Sequence, residues 1–98
     1  FHYSDTTSAA QRPELHQVFL LPQNGLNLEW SYADQDGNGY PVGLKTTLVT
    51  HNPCSGQLRL LLVHGPNKQA LGVSEGKLNN AGGTTEIDVA FEVEVTSD

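Results

Sequence analysis

The stretch Leu26–Tyr40, LNLEWSYADQDGNGY, decides the fold of this chain, because it joins the clearest strand pattern to the densest group of carboxylates. Apolar side chains recur at every second position, which places them on one face of an extended strand. These side chains are Leu26, Leu28, Trp30 and Tyr32. The stretch therefore predicts a strand with one buried face, followed by a polar turn whose glycines permit positive φ.

The composition favours one small all-β domain. The chain has 98 residues, only 16% of them charged, with ten Gly and five Pro, which is typical of short strands joined by many turns. A net charge of −6 with five Lys and Arg argues against nucleic acid and an anionic lipid surface as partners. No apolar run approaches the ~20 residues of a membrane span. We expect a protein or glycan surface of unknown identity as partner.

Several stretches with alternating or β-branched residues predict six or seven strands. They are Leu15–Leu21, Leu26–Tyr32, Leu44–His51, Gln57–His64, a short strand at Ala70–Val73, and Glu86–Val95. The Asn24-Gly25 turn predicts that the first two are antiparallel neighbours. Because no helix pattern offers a crossover, we predict an antiparallel two-sheet sandwich of immunoglobulin-like or transthyretin-like shape.

The predicted β-sandwich domain spans residues 13–98, behind a polar N-terminal arm of residues 1–12 that lacks periodicity. The predicted core is apolar and draws on four of these strands. It consists of Leu28, Trp30, Leu48, Leu58, Leu60, Leu62, Val89, Phe91 and Val93.

Part of the chain resembles a known group of proteins. Over Glu14–Leu62 it carries a Trp-x-x-x-Asp-x-Asp-Gly-x-Gly stretch and a later Gly-initiated strand, at Trp30, Asp34, Asp36, Gly37, Gly39 and Gly56. This pattern resembles the small secreted lipoproteins of Bacteroidota-type envelopes. The resemblance implies a β-sandwich exported to the cell envelope through an N-terminal lipid anchor, and it implies no established activity.

The Asp34–Tyr40 loop predicts a calcium site. Asp34, Asp36 and Asn38 occupy the first, third and fifth positions of a calcium loop, and Tyr40 the seventh, which supplies a backbone carbonyl. The twelfth position, where a calcium loop of this kind carries a bidentate Glu, is Lys45. The missing ligand must therefore be a carboxylate from elsewhere, such as Glu75 or Glu29, or a water molecule. The equally weighted alternative is a plain Asx-type turn.

Catalytic chemistry has little support in the sequence. His51 and the single Cys54 lie three residues apart without an elbow motif or a third partner, which favours an ordinary turn. The four histidines lack metal-binding spacing. His51 and His64 each close a strand, so a surface zinc or copper site where these two strand ends meet is an alternative that stays open. Tyr3 and Tyr40 are the aromatic residues expected at the surface.

Two functions follow as expectations. The first is a non-enzymatic binding module, secreted or in the cell envelope, with calcium as its candidate cofactor. The alternative is a self-assembling filament or surface-layer subunit, in which the N-terminal arm donates a strand to a neighbouring copy.

Overall fold

The structure is a computed structural model, and it describes residues 12–96. The strands are β1 (His16–Gln23), β2 (Leu28–Tyr32), β3 (Thr46–Thr50), β4 (Cys54–His64) and β5 (Thr84–Val95). Two short 3₁₀ turns, at Pro13–Leu15 and Val73–Glu75, complete the regular elements. The predicted N-terminal arm lies outside the described residues except for Arg12.

Two antiparallel sheets form the small sandwich. One sheet has the order β1-β4-β5, and the other contains β2 and β3. The prediction of an all-β, antiparallel two-sheet fold is therefore confirmed. The described residues contain five strands rather than six or seven, since Ala70–Val73 does not form the predicted short strand.

The pairing predicted for the first two strands is wrong. Asn24 and Gly25 do form a turn with positive φ, at 58° and 97°, but β1 pairs with β4 and β2 with β3. β4 passes against this turn at Gly56, where a Cβ atom would lie 2.4 Å from the Gln23 carbonyl oxygen. The turn therefore sends the chain to the second sheet, which lets the apolar row of β2 cover β1 and β4 instead of lying beside them.

The main core lies between the two sheets. Leu58, Leu60 and Leu62 are buried, and the other six predicted core residues are half-buried against the same cluster. The cluster also contains buried residues that the predicted core left out, which are Val18, Leu20, Leu26 and Val42. Alternation along the strands thus identified the correct face of β2, β4 and β5.

The outer face of β1 and β4 is covered by the connection between β4 and β5. Phe19, Leu61 and Val63 form a second buried cluster with Val73 and Ala81 of that connection. The segment predicted as a short strand lies here as turns that lead into the 3₁₀ turn Val73–Glu75. Its role is to cover the sheet rather than to extend it, which explains why β4 is apolar on both faces near its end.

A buried polar network fixes the second sheet to β1. The Tyr32 hydroxyl donates to the Val18 carbonyl at 2.7 Å, and Gln17 Nε2 donates to the Tyr32 oxygen at 2.9 Å and to the Val73 carbonyl at 2.7 Å. Burial raises the pKa of Tyr32 far above its ordinary value, although the hydrogen bond from Gln17 acts in the opposite direction. The hydroxyl therefore remains a neutral donor.

Candidate metal centre

The side chain of Asp34, the first residue of the predicted calcium loop, accepts hydrogen bonds from the backbone of residues 42–45, which follow the loop. Its Oδ1 accepts hydrogen bonds from the backbone N–H groups of Gly43 at 2.8 Å and Val42 at 3.4 Å. Its Oδ2 accepts from the N–H groups of Leu44 at 2.8 Å and Lys45 at 3.2 Å. Both carboxylate oxygens therefore hold the protein's own backbone.

Asp36 is buried in the same loop. Its Oδ1 accepts from the backbone N–H groups of Asn38 at 2.8 Å and Tyr40 at 3.0 Å, and its Oδ2 accepts from Lys68 Nζ at 2.9 Å. Lys68 Nζ also donates to the Pro13 carbonyl at 2.8 Å. The side chains of the Lys68–Asp36 pair are only 5% and 1% exposed, so this ion pair is enclosed by protein.

The charge of Asp36 is stabilised by these donors. Burial alone would raise the pKa of its carboxyl group. The hydrogen bond from Lys68 and those from the backbone of Tyr40 and Asn38 outweigh burial, and they hold the pKa below its ordinary value. Asp36 is therefore an ionised carboxylate that serves as the anchor of the loop.

The four residues predicted to bind calcium are thus engaged in the contacts of a hydrogen-bonded turn. The Tyr40 carbonyl, expected as a ligand, accepts the Asp36 N–H at 2.7 Å. A calcium ion at Asp34, Asp36, Asn38 and Tyr40 would have to displace several of these donors. The geometry favours the turn interpretation, and calcium binding at this loop stays a prediction.

A different group of potential ligands lies at one end of the three-stranded sheet. His16 begins β1 and His64 ends β4, and the two are direct partners in the antiparallel register. Directly paired residues project from the same face of a sheet. Their rings meet edge to face, with centroids 4.7 Å apart.

A β-bulge brings Glu86 to the two histidines. Leu62 pairs with Ile87 but Val63 pairs with Thr85, so Glu86 is the extra residue of β5. In a regular strand Glu86 and Ile87 would project from opposite faces. Because a bulge redirects the side chain of the inserted residue, Glu86 joins the face that carries the histidines.

The three donor atoms have spacings that suit a small metal ion. His16 Nε2 lies 2.8 Å from Glu86 Oε1 and 3.1 Å from His64 Nδ1, and the latter two atoms are 3.9 Å apart. The point in their plane that is equidistant from all three lies about 2.0 Å from each, within the ~2.0–2.2 Å of zinc–nitrogen and zinc–oxygen bonds. A tetrahedral site needs separations of about 3.3–3.4 Å, so the exposed His64 and Glu86 side chains would have to shift by about half an ångström to form one. We call His16, His64 and Glu86 the histidine centre.

A backbone contact fixes the orientation of His16. Its Nδ1 lies 2.9 Å from the Arg12 carbonyl oxygen. Since a carbonyl only accepts, Nδ1 carries a proton, and Nε2 is directed into the histidine centre, where it lies within hydrogen-bond distance of Glu86 Oε1. A metal ion at the centre would replace any proton that Nε2 shares with this carboxylate. Metal-binding histidines in proteins are commonly oriented by such a bond from the other ring nitrogen.

Burial divides the histidine centre into an inner and an outer part. The His16 side chain is 3% exposed, whereas those of His64 and Glu86 are 47% and 39% exposed. The centre is therefore anchored in the protein on one side and open to solvent on the other.

Sequence reasoning missed this centre. His16 and His64 are 48 residues apart and Glu86 is 70 residues from His16, so no local spacing indicates them. The expectation that His51 and His64 would meet is wrong, because His64 pairs with His16. The sequence did place one histidine at the start of a strand and another at the end of a later strand. These positions predict a meeting of the two rings only when the antiparallel pairing of the two strands is known.

His51 and Cys54 have separate partners at the opposite end of the sandwich. His51 Nε2 lies 3.2 Å from Glu29 Oε2, and Cys54 Sγ accepts from the Asn27 N–H at 3.3 Å. Neither contact assembles a nucleophile with its base.

No protein-family model matches the chain, and searches of curated proteins and solved structures return no match either. Within residues 12–96, no helix has the length and hydrophobicity that a membrane-spanning segment needs. The function is therefore inferred from the geometry of this chain.

Proposed function

We propose that this protein is a non-enzymatic binding module that takes up a divalent transition-metal ion, with zinc as the preferred metal, at the histidine centre. The observation that carries the proposal is the convergence of two imidazole nitrogens and one carboxylate oxygen on a point about 2 Å from each. Within residues 12–96, no other group of three His, Cys, Asp or Glu side chains lies close enough to share an ion.

The donor set favours zinc over calcium. Calcium takes six to eight oxygen ligands, whereas imidazole nitrogen together with carboxylate oxygen suits zinc, copper and nickel. The bond from His16 to the Arg12 carbonyl supports the same choice, because it presents a ring nitrogen that is already oriented.

We also propose that the module acts outside the cytoplasm, in the cell envelope or the extracellular space. The support is the resemblance to secreted envelope lipoproteins over Glu14–Leu62 and the acidic balance of the chain, at a net charge of −6. The alternative proposal is calcium at Asp34–Tyr40, which has only the order of its side chains in support and which the hydrogen bonds of the loop argue against.

Isothermal titration calorimetry with zinc tests the metal-binding proposal. We expect one zinc ion per chain and no comparable heat with calcium. His64→Ala and Glu86→Gln should each weaken zinc binding at least tenfold, because each removes one of three ligands and leaves the buried His16 in place.

Glu94→Gln provides a matched control for Glu86→Gln. It makes the same change on the same strand, near the far end of β5 and away from the centre. Zinc affinity should be unchanged in this variant. Equal zinc affinity in the wild type and in Glu86→Gln would show that zinc binds elsewhere and would refute the proposal.

A further inference from the structure

The histidine centre provides three ligands where zinc takes four. The side chains of His64 and Glu86 are partly exposed, so the remaining coordination position of an ion bound there would face solvent. Gly65 and Gly82 lie in the connection next to β4 and β5, and a Cβ atom built on either would meet no other atom within 4 Å. Gly65, which directly follows His64, therefore places no side chain beside the exposed part of the centre.

His51 is suited to fill that position. It is the one histidine within residues 12–96 that lies outside the centre, and its side chain is 52% exposed. Its Nε2 lies 3.2 Å from Glu29 Oε2, which accepts the ring proton and leaves the lone pair on Nδ1. A carboxylate that orients a histidine in this way is a common feature of zinc ligands.

His51 cannot reach the centre of its own chain. It follows β3, close to the turn that leads into Cys54 at the start of β4, whereas His64 ends β4. β4 has 11 residues, which span roughly 30 Å or more at about 3.3 Å per residue. The two histidines therefore lie at opposite ends of the sandwich.

We propose that His51 of a second copy of this chain supplies the fourth ligand, so that zinc joins copies head to tail. The inference rests on the proposed function, since it needs an ion at the histidine centre. Each copy then offers a donor at one end and an incomplete centre at the other. Contacts between two different surfaces produce open chains or closed rings. The partner chemistry is thus an imidazole from the same protein, and each zinc ion offsets part of the repulsion between chains of net charge −6.

Sedimentation velocity of the full chain, with and without one equivalent of zinc, tests this assembly. We expect a monomer without metal, species of at least twice the monomer mass with zinc, and return to monomer after chelation. His51→Ala should still bind one zinc ion per chain in calorimetry but remain monomeric. His64→Ala should bind zinc at least tenfold more weakly and should not assemble.

A mixture of the two variants gives the sharpest result. His51→Ala keeps an intact centre and lacks the donor, while His64→Ala keeps the donor and lacks the centre. Mixed in equal amounts with zinc, they should form a dimer with one copy of each and grow no further.

The outcomes separate the two proposals. Absence of zinc binding in the wild type refutes the proposed function. Zinc binding by a wild type that remains monomeric, or assembly of His51→Ala to the same size as the wild type, refutes the head-to-tail inference alone. In the second case the fourth ligand comes from another donor, for which His2→Ala is the next variant to test.

Discussion

The Asp34–Tyr40 loop and the histidine centre both collect side chains with metal-binding atoms, but they use those atoms differently. In the loop, the carboxylates of Asp34 and Asp36 accept hydrogen bonds from backbone N–H groups and from the Lys68 ammonium group. In the centre, nitrogens and a carboxylate oxygen face one another across 2.8–3.9 Å. The difference teaches that the spacing of oxygen ligands along a sequence also describes a turn that bonds to itself. Two imidazole nitrogens and a carboxylate oxygen that converge from three different strands are the stronger indication of a metal ion.

The largest expected effect comes from breaking the anchor of the loop. Lys68→Met keeps most of the side-chain volume but leaves the Asp36 carboxylate buried without its cation. We expect a loss of about 3–5 kcal/mol in the free energy of unfolding, as for other buried pairs from which one partner is removed. Chemical denaturation monitored by Trp30 fluorescence measures this loss.

Two further variants serve as controls for that prediction. Lys68→Met combined with Asp36→Asn should recover part of the lost stability, because the unpaired charge is gone. Arg59→Met breaks the exposed pair with Asp88 and should cost much less. Equal losses for Lys68→Met and Arg59→Met would contradict the view that the loop is anchored by a buried ion pair.

The histidine centre and the Asp34–Tyr40 loop can be compared directly by thermal melting with zinc and with calcium. Zinc at a hundredfold excess over its dissociation constant should stabilise the folded protein by about 2.7 kcal/mol. Calcium at the same concentration should leave the melting temperature unchanged, because the loop oxygens already have donors. A calcium-dependent rise that Asp36→Asn abolishes would instead establish the loop as a calcium site.

Features of the fold that depend on residues close together in the sequence were predicted correctly, whereas those that depend on residues far apart were not. Period-2 alternation identified the inward rows of β2, β4 and β5 correctly, because alternation is a property of each strand alone. The pairing of β1 with β4 depends on which apolar rows cover each other, so the Asn24-Gly25 turn was misleading.

The candidate site was harder to predict for the same reason. The Asp34–Tyr40 loop is local and was located correctly as a turn, although its calcium ligation is untested. The histidine centre requires the β1–β4 register and a bulge at Glu86, and neither leaves a mark in the local sequence. Long-range contacts thus formed the site that the sequence did not show.

Acid pH should weaken the loop anchor. The pKa of Asp36 is lower in the folded protein than its ordinary value, so the unfolded chain takes up a proton first as the pH falls. The stabilisation by Asp36 is fully present above the ordinary Asp pKa of about 3.9 and is lost as the pH falls through the lower folded-state pKa. The carboxyl group of Asp88, whose pKa is also lowered, by its hydrogen bonds with Arg59, contributes with the same sign.

Denaturation curves between neutral and acid pH measure this loss. Asp36→Asn should be less stable at neutral pH and should show a flatter decline toward acid pH, because one of the two carboxylates no longer titrates. An equally steep decline in Asp36→Asn and the wild type would assign the acid sensitivity to other groups.

The smallest expected effect concerns Asn38, and it separates the two interpretations of the loop most cleanly. In the structure the backbone N–H of Asn38, not its side chain, donates to Asp36 Oδ1. Asn38→Ala keeps that N–H and removes only an exposed side chain, so the free energy of unfolding should change by no more than ~0.5 kcal/mol. A calcium site of the predicted kind would use the Asn38 side-chain oxygen as its third ligand. Melting curves of Asn38→Ala with calcium and with chelator should therefore overlap each other and the wild type. If calcium stabilises the wild type but not Asn38→Ala, the turn binds calcium through the Asn38 side chain. The loop and the histidine centre would then both be metal sites, and they would differ in the metal that each prefers.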